Sequence, residues 1–241
     1  MSRSKSFFKS LRWRIFKSLF ILCLSLTFIL ASIGIIWFAT LKIPDLSVFE
    51  ARKVAQSTKI YDRTGQILLY DIHNDAKRTI IPFEDISQKI KNATIAIEDN
   101  EFYLHHGIKP TAILRAIISD LTPGSGATQG GSTITQQVIK NSILTQDKTI
   151  TRKLKEWILA IKLEKILTKD QILNTYLNEN PYGGSVYGVE EASKTFFGKS
   201  AKDVTLAEAA YISAIPQAPT FYSPYGPNKA KLDNRKNLVL Q

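Results

Sequence analysis

Ala96-Ile97-Glu98-Asp99-Asn100-Glu101-Phe102-Tyr103-Leu104-His105-His106-Gly107 sets two adjacent carboxylates at the end of an apolar helical run. Upstream, Ile86, Ile90, Ala93 and Ile97 recur at i, i+4, i+7 and i+11, the spacing of one buried helix face. Glu98 therefore emerges at the edge of the core, where a carboxylate can serve as a general base. Taken alone, the pair also fits an ordinary solvated helix end. The sequence on either side decides between these readings.

Downstream, Gly130-Gly131-Ser132-Thr133-Ile134-Thr135-Gln136-Gln137-Val138-Ile139-Lys140-Asn141 opens a second helix, with Ser132 placed to cap it. Thr133, Gln136, Gln137 and Lys140 then share one face. Hydroxyls and amides suit a sugar rich in hydroxyl and acetamido groups, and a lysine suits a phosphate. A third helix, expected from Thr149 to about Leu167, has an apolar stripe of Ile150, Leu154, Trp157, Ile158 and Ile161. Lys148, Arg152, Lys155 and Glu156 cluster on the opposite side, within about 80° of one another. Three cations and one carboxylate could anchor a diphosphate. The alternative is an exposed Arg152–Glu156 pair worth a few tenths of a kcal/mol.

Between the first two motifs, Pro110 to Leu121 is amphipathic, and Thr122 to Gly131 reads as a flexible loop. That segment fits either a core helix or one that dips into a lipid interface.

The net charge of +11 is unevenly placed. Arg3, Lys5, Lys9, Arg12, Arg14 and Lys17 stand in a stretch without any acid, and removing those six leaves 26 basic against 21 acidic residues. The basic excess is largely a tail, which weakens any case for nucleic-acid binding. Residues 18–41 then contain no charge, and as a helix would span about 36 Å, enough to cross a hydrocarbon core. Trp13 and Trp37 flank the run at interfacial positions, and no Ala-x-Ala site closes it, so an uncleaved anchor is expected. The basic tail places the N-terminus in the cytoplasm and the rest of the chain outside. Cys23, the single cysteine, lies within the span, so no intrachain disulfide can form.

The expected organisation is a basic tail (1–17), a transmembrane anchor (18–41), a partly helical linker (42–57) and a domain over 58–241. That domain opens with a hairpin, Lys59-Ile60-Tyr61 and Gln66 to Tyr70 about a turn at Asp62-Arg63-Thr64-Gly65. From Phe83 onward the pattern is helical throughout. Capping boxes stand at Thr168–Gln171 and Thr205–Glu208, Gly198 ends a helix from Val189 to Phe197, and Pro216, Pro219, Pro224 and Pro227 punctuate an irregular segment. Leu238-Val239-Leu240-Gln241 reads as a fresh apolar helical run, which points to a fragment of a longer, bifunctional protein.

These motifs resemble those of the peptidoglycan glycosyltransferase domain of class A penicillin-binding proteins, glycosyltransferase family 51, found also in monofunctional transglycosylases. Glu98, Asp99, Phe102, His105 and Gly107 match its first motif, Gly130 to Gln137 with Lys140 and Asn141 its second, and Arg152, Lys153 and Glu156 its third. Ile172, Leu173, Tyr176, Leu177 and Asn178 match the fourth, and Tyr187 to Glu190 with Phe197-Gly198-Lys199 a fifth segment. Two departures are mild: Lys148 stands where the family often has arginine, and Glu101 where an arginine is common before the phenylalanine.

The resemblance implies a mainly α, lysozyme-like fold that polymerises lipid II into β-1,4-linked glycan strands, releasing undecaprenyl diphosphate with inversion. It implies Glu98 as the catalytic base and Glu156 as a second catalytic carboxylate; because a departing diphosphate needs positive charge more than a proton, Glu156 is read as orienting the cations. Substrate contacts fall to Asp99, Phe102, His105, Ser132, Thr133, Gln136, Gln137, Lys140, Asn141, Lys148, Arg152 and Lys155. No cofactor is obligatory and no protein-held metal is expected, with Mg or Mn able to join at the diphosphate. Implied partners are lipid II, the growing lipid-linked strand, the membrane and other cell-wall synthesis proteins, with no nucleic acid. A lytic enzyme acting on finished polymer and a catalytically silent assembly factor are the competing readings. The basic cluster argues against the first, and the presence of both glutamates against the second.

Overall fold

A computed structural model describes residues 2–40, 42, 44, 49, 56–72, 76–111, 131–144 and 149–241. Lys148, most of the 110–121 segment, the loop from 122 to 130 and most of the linker lie outside the described residues. The chain divides into two compact units, Met1–Ile43 and Pro44–Gln241.

The first unit is one helix, α1 (Ser2–Ala39). Its stretch from Trp13 to Trp37 is long and apolar enough to cross a membrane. Thr27 and Ser32 each donate to the carbonyl four residues back, so these hydroxyls are satisfied inside the helix, as an apolar surrounding requires.

The second unit is mainly helical. Its hairpin pairs β1 (Thr58–Tyr61) with β2 (Leu68–Ile72) in antiparallel register, Lys59 opposite Asp71. Asp62 builds the turn by accepting from the Gln66 and Ile67 amides and the Thr64 hydroxyl. The hairpin is tied down electrostatically. Buried Glu191 accepts from Lys59 and Thr79, with Lys77 at 3.8 Å.

Burial alone would push the Glu191 carboxyl up, but the hydrogen bonds from Lys59 and Thr79 and the Lys59 and Lys77 charges outweigh it and hold it below 4.5. Its folded-state value being the lower one, its contribution to stability is complete above 4.5 and is lost as pH falls through the folded value. Melting temperatures of the parent and Glu191→Gln should therefore converge on acidification. Curves that stay parallel down the pH series would show that this carboxylate does not couple to folding.

A second, two-residue pairing was not expected. β3 (Lys77–Arg78) runs parallel to β4 (Val186–Tyr187), and β4 lies in the stretch after Phe83 read as helical. Two residues carry no periodicity, so only the long-range approach of the segments makes them strands.

The remaining elements are helices. α2 (Gln88–Glu98) starts at Ser87, whose side chain accepts from the Lys89 amide, and buries Ile90 and Ala93 as the spacing predicts. α3 (Ile134–Ser142), α4 (Ile150–Leu163), α5 (Lys169–Glu179), α6 (Val189–Phe197), α7 (Leu206–Ala214) and α8 (Lys229–Val239) follow. The capping boxes at Thr168 and Thr205 form, and Gly198 ends α6 in the left-handed conformation. The buried alanines of α7 let α2 and α8 pack on it closely, while α3 packs on both α4 and α5. Thr94 and Ser213 join α2 to α7 by a buried hydroxyl pair at 3.0 Å.

Three local expectations are corrected. Thr133, not Ser132, caps α3, in a capping box with Gln136. The last helix begins at Lys229, ahead of the apolar run at its end. On α4 the apolar stripe is not the buried face: Ile150 is 80% exposed, while Glu156, Leu159, Ala160 and Leu163 face the interior. Polarity alone misassigns that face because Glu156 is enclosed together with its cations.

Gly107 fixes the loop after α2 against α4. Its φ is +90°, and a Cβ there would lie 2.8 Å from the Ala160 carbonyl carbon and oxygen. Both are backbone atoms of a packed helix and cannot yield cheaply. Gly107→Ala should cost about 1–3 kcal/mol, the scale of a strained backbone position, read as a lowered midpoint in chemical denaturation. An unchanged midpoint would mean the loop relaxes away from α4.

Candidate active site

Glu98 is the last residue of α2, and its side chain is 8% exposed. Each carboxylate oxygen receives one donor. Gln137 Nε2 on α3 reaches Oε2 at 2.8 Å, and Arg235 Nη2 on α8 reaches Oε1 at 2.8 Å. The Gln137 amide is oriented from its other end, where Tyr176 donates to Oε1 over a long 3.5 Å. Tyr176 is fully buried, and burial first and the Glu98 charge second push its phenol well above the ordinary value. The same two causes raise Tyr182. Both phenols therefore stay protonated beside the carboxylate, so Tyr176 is a donor at any physiological pH.

Asp99 points the other way, into the protein. It accepts from His105 Nε2 at 2.8 Å and the Ile134 amide at 3.0 Å, and pairs with Lys109 at 2.8 Å. Burial alone would push this carboxyl up, but the bonds from His105, Lys109 and Ile134 outweigh it and hold it below the usual range. The Gly107 amide donates to His105 Nδ1 at 3.1 Å, which leaves Nε2 to carry the proton toward Asp99. Thr133 Oγ1 donates to the Gly107 carbonyl at 2.7 Å. Phe102 is fully buried beneath this loop, edge-on to His105, with Lys169 over its ring.

The first two motifs are thus bolted together by Asp99, His105 and Thr133. The polar groups of Thr133 and Gln136 also close the helix cap, with Gln136 Oε1 accepting from the Thr133 amide at 2.8 Å. As placed, Asp99, Phe102, His105, Thr133 and Gln136 position the backbone around Glu98.

Glu156 forms the second charged centre. Its residue is only 1% exposed, yet it is a carboxylate with cations on both oxygens. Arg152 Nη1 donates to Oε2 at 2.9 Å and Lys153 to Oε1. Lys153 also donates to Ser132 Oγ at 2.8 Å, joining this centre to the start of α3. The expected exposed i, i+4 pair is therefore a buried cluster. Ser132 precedes the cap of α3 and Gln137 lies in its first turn, so the start of this helix links the two carboxylate centres. Lys155 is half-buried and Lys140 and Asn141 are exposed, Asn141 donating to Asn180 at 2.7 Å.

Among the expected site residues, Glu98 with Gln137, Asp99 with His105, and Ser132 with Glu156 through Lys153 are brought together. Sequence reading assigns no site role to Lys109, Asn180 and Arg235, nor to Lys153, although Lys153 stands in the third motif. Lys153 had a local signal, its i, i+3 spacing to Glu156. Arg235 had none, since it lies in a polar run 137 residues from its partner.

A family model described as Transglycosylase matches residues 65–241. Penicillin-binding protein 1A of Clostridium tetani is 43% identical over 203 residues, covering 82% of this chain and 26% of its own length. Penicillin-binding protein 1A of Aquifex aeolicus is 42% identical over 200 residues, covering 83% of this chain and 27% of its own. The crystal structure of penicillin-binding protein 1A from Haemophilus influenzae is 21% identical with a TM-score of 0.40, covering 78% of this chain and 18% of that one. The chain spans about a quarter of the length of the curated relatives it matches. The matched region takes in both carboxylate centres, their cations and the helix that carries Arg235, and the chain belongs to the transglycosylase family.

Proposed function

We propose that this domain is a peptidoglycan glycosyltransferase that joins lipid-linked disaccharide units, lipid II and the growing strand, into β-1,4-linked glycan. The observation that carries the reading is the contrast between the two glutamates. Each glutamate receives one donor per oxygen, but Glu98 has a single cation, Arg235, with the neutral Gln137 amide on its other oxygen, so less positive charge opposes its taking a proton. Glu156 is held between Arg152 and Lys153 and orders those cations.

In the proposed reaction Glu98 removes the proton from the acceptor's 4-hydroxyl. That oxygen attacks the anomeric carbon of the donor from the face opposite the diphosphate. The bond from the anomeric carbon to the diphosphate oxygen breaks, its electron pair leaves with undecaprenyl diphosphate, and the configuration inverts. A hydrolase expelling a sugar alkoxide needs a carboxylic acid to protonate it. A diphosphate leaves as a stable anion and needs positive charge instead, which Lys140, Arg152, Lys153 and Lys155 supply. Lys148 joins them in this reading from outside the described residues.

Glu98, Asp99 and Glu156 all carry cationic partners, and in the proposed reaction a Mg or Mn ion would be held by the diphosphate's own oxygens. The apolar α1 is proposed as the anchor, with the basic tail in the cytoplasm and the catalytic domain on the outer side, where it meets the membrane-borne substrate and other cell-wall synthesis proteins.

The deciding experiment incubates the purified full chain, in detergent, with labelled lipid II and separates polymer from precursor. Polymer with release of undecaprenyl diphosphate is expected. Cleavage of preformed strands without polymer would establish the lytic reading instead.

A further inference from the structure

We propose that Arg235 is a positioning residue for Glu98, holding its carboxylate in the orientation that accepts the incoming proton. The inference rests on the reading of Glu98 as the base.

The guanidinium is fixed by the fold independently of Glu98. Its Nε donates at 3.0 Å to the carbonyl of Ala214, the last residue of α7, and its carbon lies 5.8 Å from the centre of the Tyr222 ring. The side chain is 12% exposed. Leu232, the buried residue of the otherwise polar α8, lies one turn earlier on the same face. Leu232 and Arg235 together dock α8, and Nη2 is then left aimed at Glu98 Oε1 at 2.8 Å.

On the other oxygen, Gln137 is oriented by Tyr176. The carboxylate is thus held by two donors from two different helices, each anchored elsewhere. It cannot turn about its terminal bond without losing both. The lone pairs that remain have set directions, and a reacting proton must come to them. Misplacement of a reacting group by about 1 Å can cost on the order of 10²-fold in rate, so the clamp is large enough in effect to measure.

A residue that acts through Glu98 must lose its influence once Glu98 is gone. The test compares the full chain carrying Arg235→Ala, Arg235→Lys, Glu98→Gln, and Arg235→Ala with Glu98→Gln, on labelled lipid II, with thermal melts alongside. Arg235→Ala should lower kcat by about 10–100-fold with KM changed less than about twofold, and Arg235→Lys should recover part of the loss. Added to Glu98→Gln, Arg235→Ala should cost less than about a further twofold.

An additive loss in the double variant overturns the proposal while leaving Glu98 as base. So does a raised KM with unchanged kcat, which would place Arg235 on the substrate. Full activity in Glu98→Gln alone overturns the base reading and the proposal with it. If Arg235→Ala melts too low to assay, Arg235→Lys in the two Glu98 backgrounds gives the same comparison, and an equal fractional loss in both overturns the proposal.

Discussion

Glu98→Gln is expected to reduce polymerisation of lipid II by about 10²–10⁴, the usual contribution of a positioned general base. The amide keeps the size of the side chain but has no lone pair basic enough to accept the acceptor's proton. Its oxygen can still accept from Arg235, but its amino group then faces the Gln137 amino group, whose orientation Tyr176 opposes. A loss of about 0.5–1.5 kcal/mol of stability, one net hydrogen bond, is expected alongside. The rate should be read in single turnover, with the melting temperature as the control for folding. Near-parental turnover with a normal melt would remove Glu98 from its role.

Arg152→Ala is expected to reduce polymerisation by about 10²–10³, the effect of losing one donor to developing negative charge. Arg152→Lys should restore only part, because an ammonium cannot form the two parallel bonds of a guanidinium. The cost to the fold exceeds that of an exposed pair. Glu156 is buried, and without Arg152 it keeps Lys153 alone, so a loss of about 1.5–3 kcal/mol is expected, the range for a hydrogen bond to a charged group. Lys140 is exposed, so Lys140→Ala should slow polymerisation with little change in melting. Activity therefore has to be compared below the lowest melting temperature of the set. Preformed glycan strands should stay intact with the parent and every variant. Strand cleavage by the parent that survives loss of these cations would make the cationic cluster a structural feature only and the enzyme a hydrolase.

Much of this architecture could be read without coordinates, for a consistent reason. The uncharged run behind a basic tail is a property of composition. The hairpin turn at Asp62, the capping boxes at Thr168 and Thr205 and the stop at Gly198 each involve residues within a few positions of one another. Such interactions act before the chain has any tertiary arrangement, so the residue order carries them directly. The order of the motifs around Glu98 and Glu156 was legible in the same way.

The partners of the two glutamates belong to packing. Arg235 meets Glu98 across 137 residues because Leu232 docks α8 and the end of α7 catches the guanidinium. Glu156 lies in the interior because Arg152 and Lys153 enclose it, which inverted the face of α4 that polarity had marked as buried. Thr133 displaced Ser132 as the cap because Ser132 turns instead to Lys153 on α4. β3 and β4 are strands because two distant segments pair with each other. Each depends on which surfaces come together, and a hydrogen bond between distant segments leaves no periodic trace in either one.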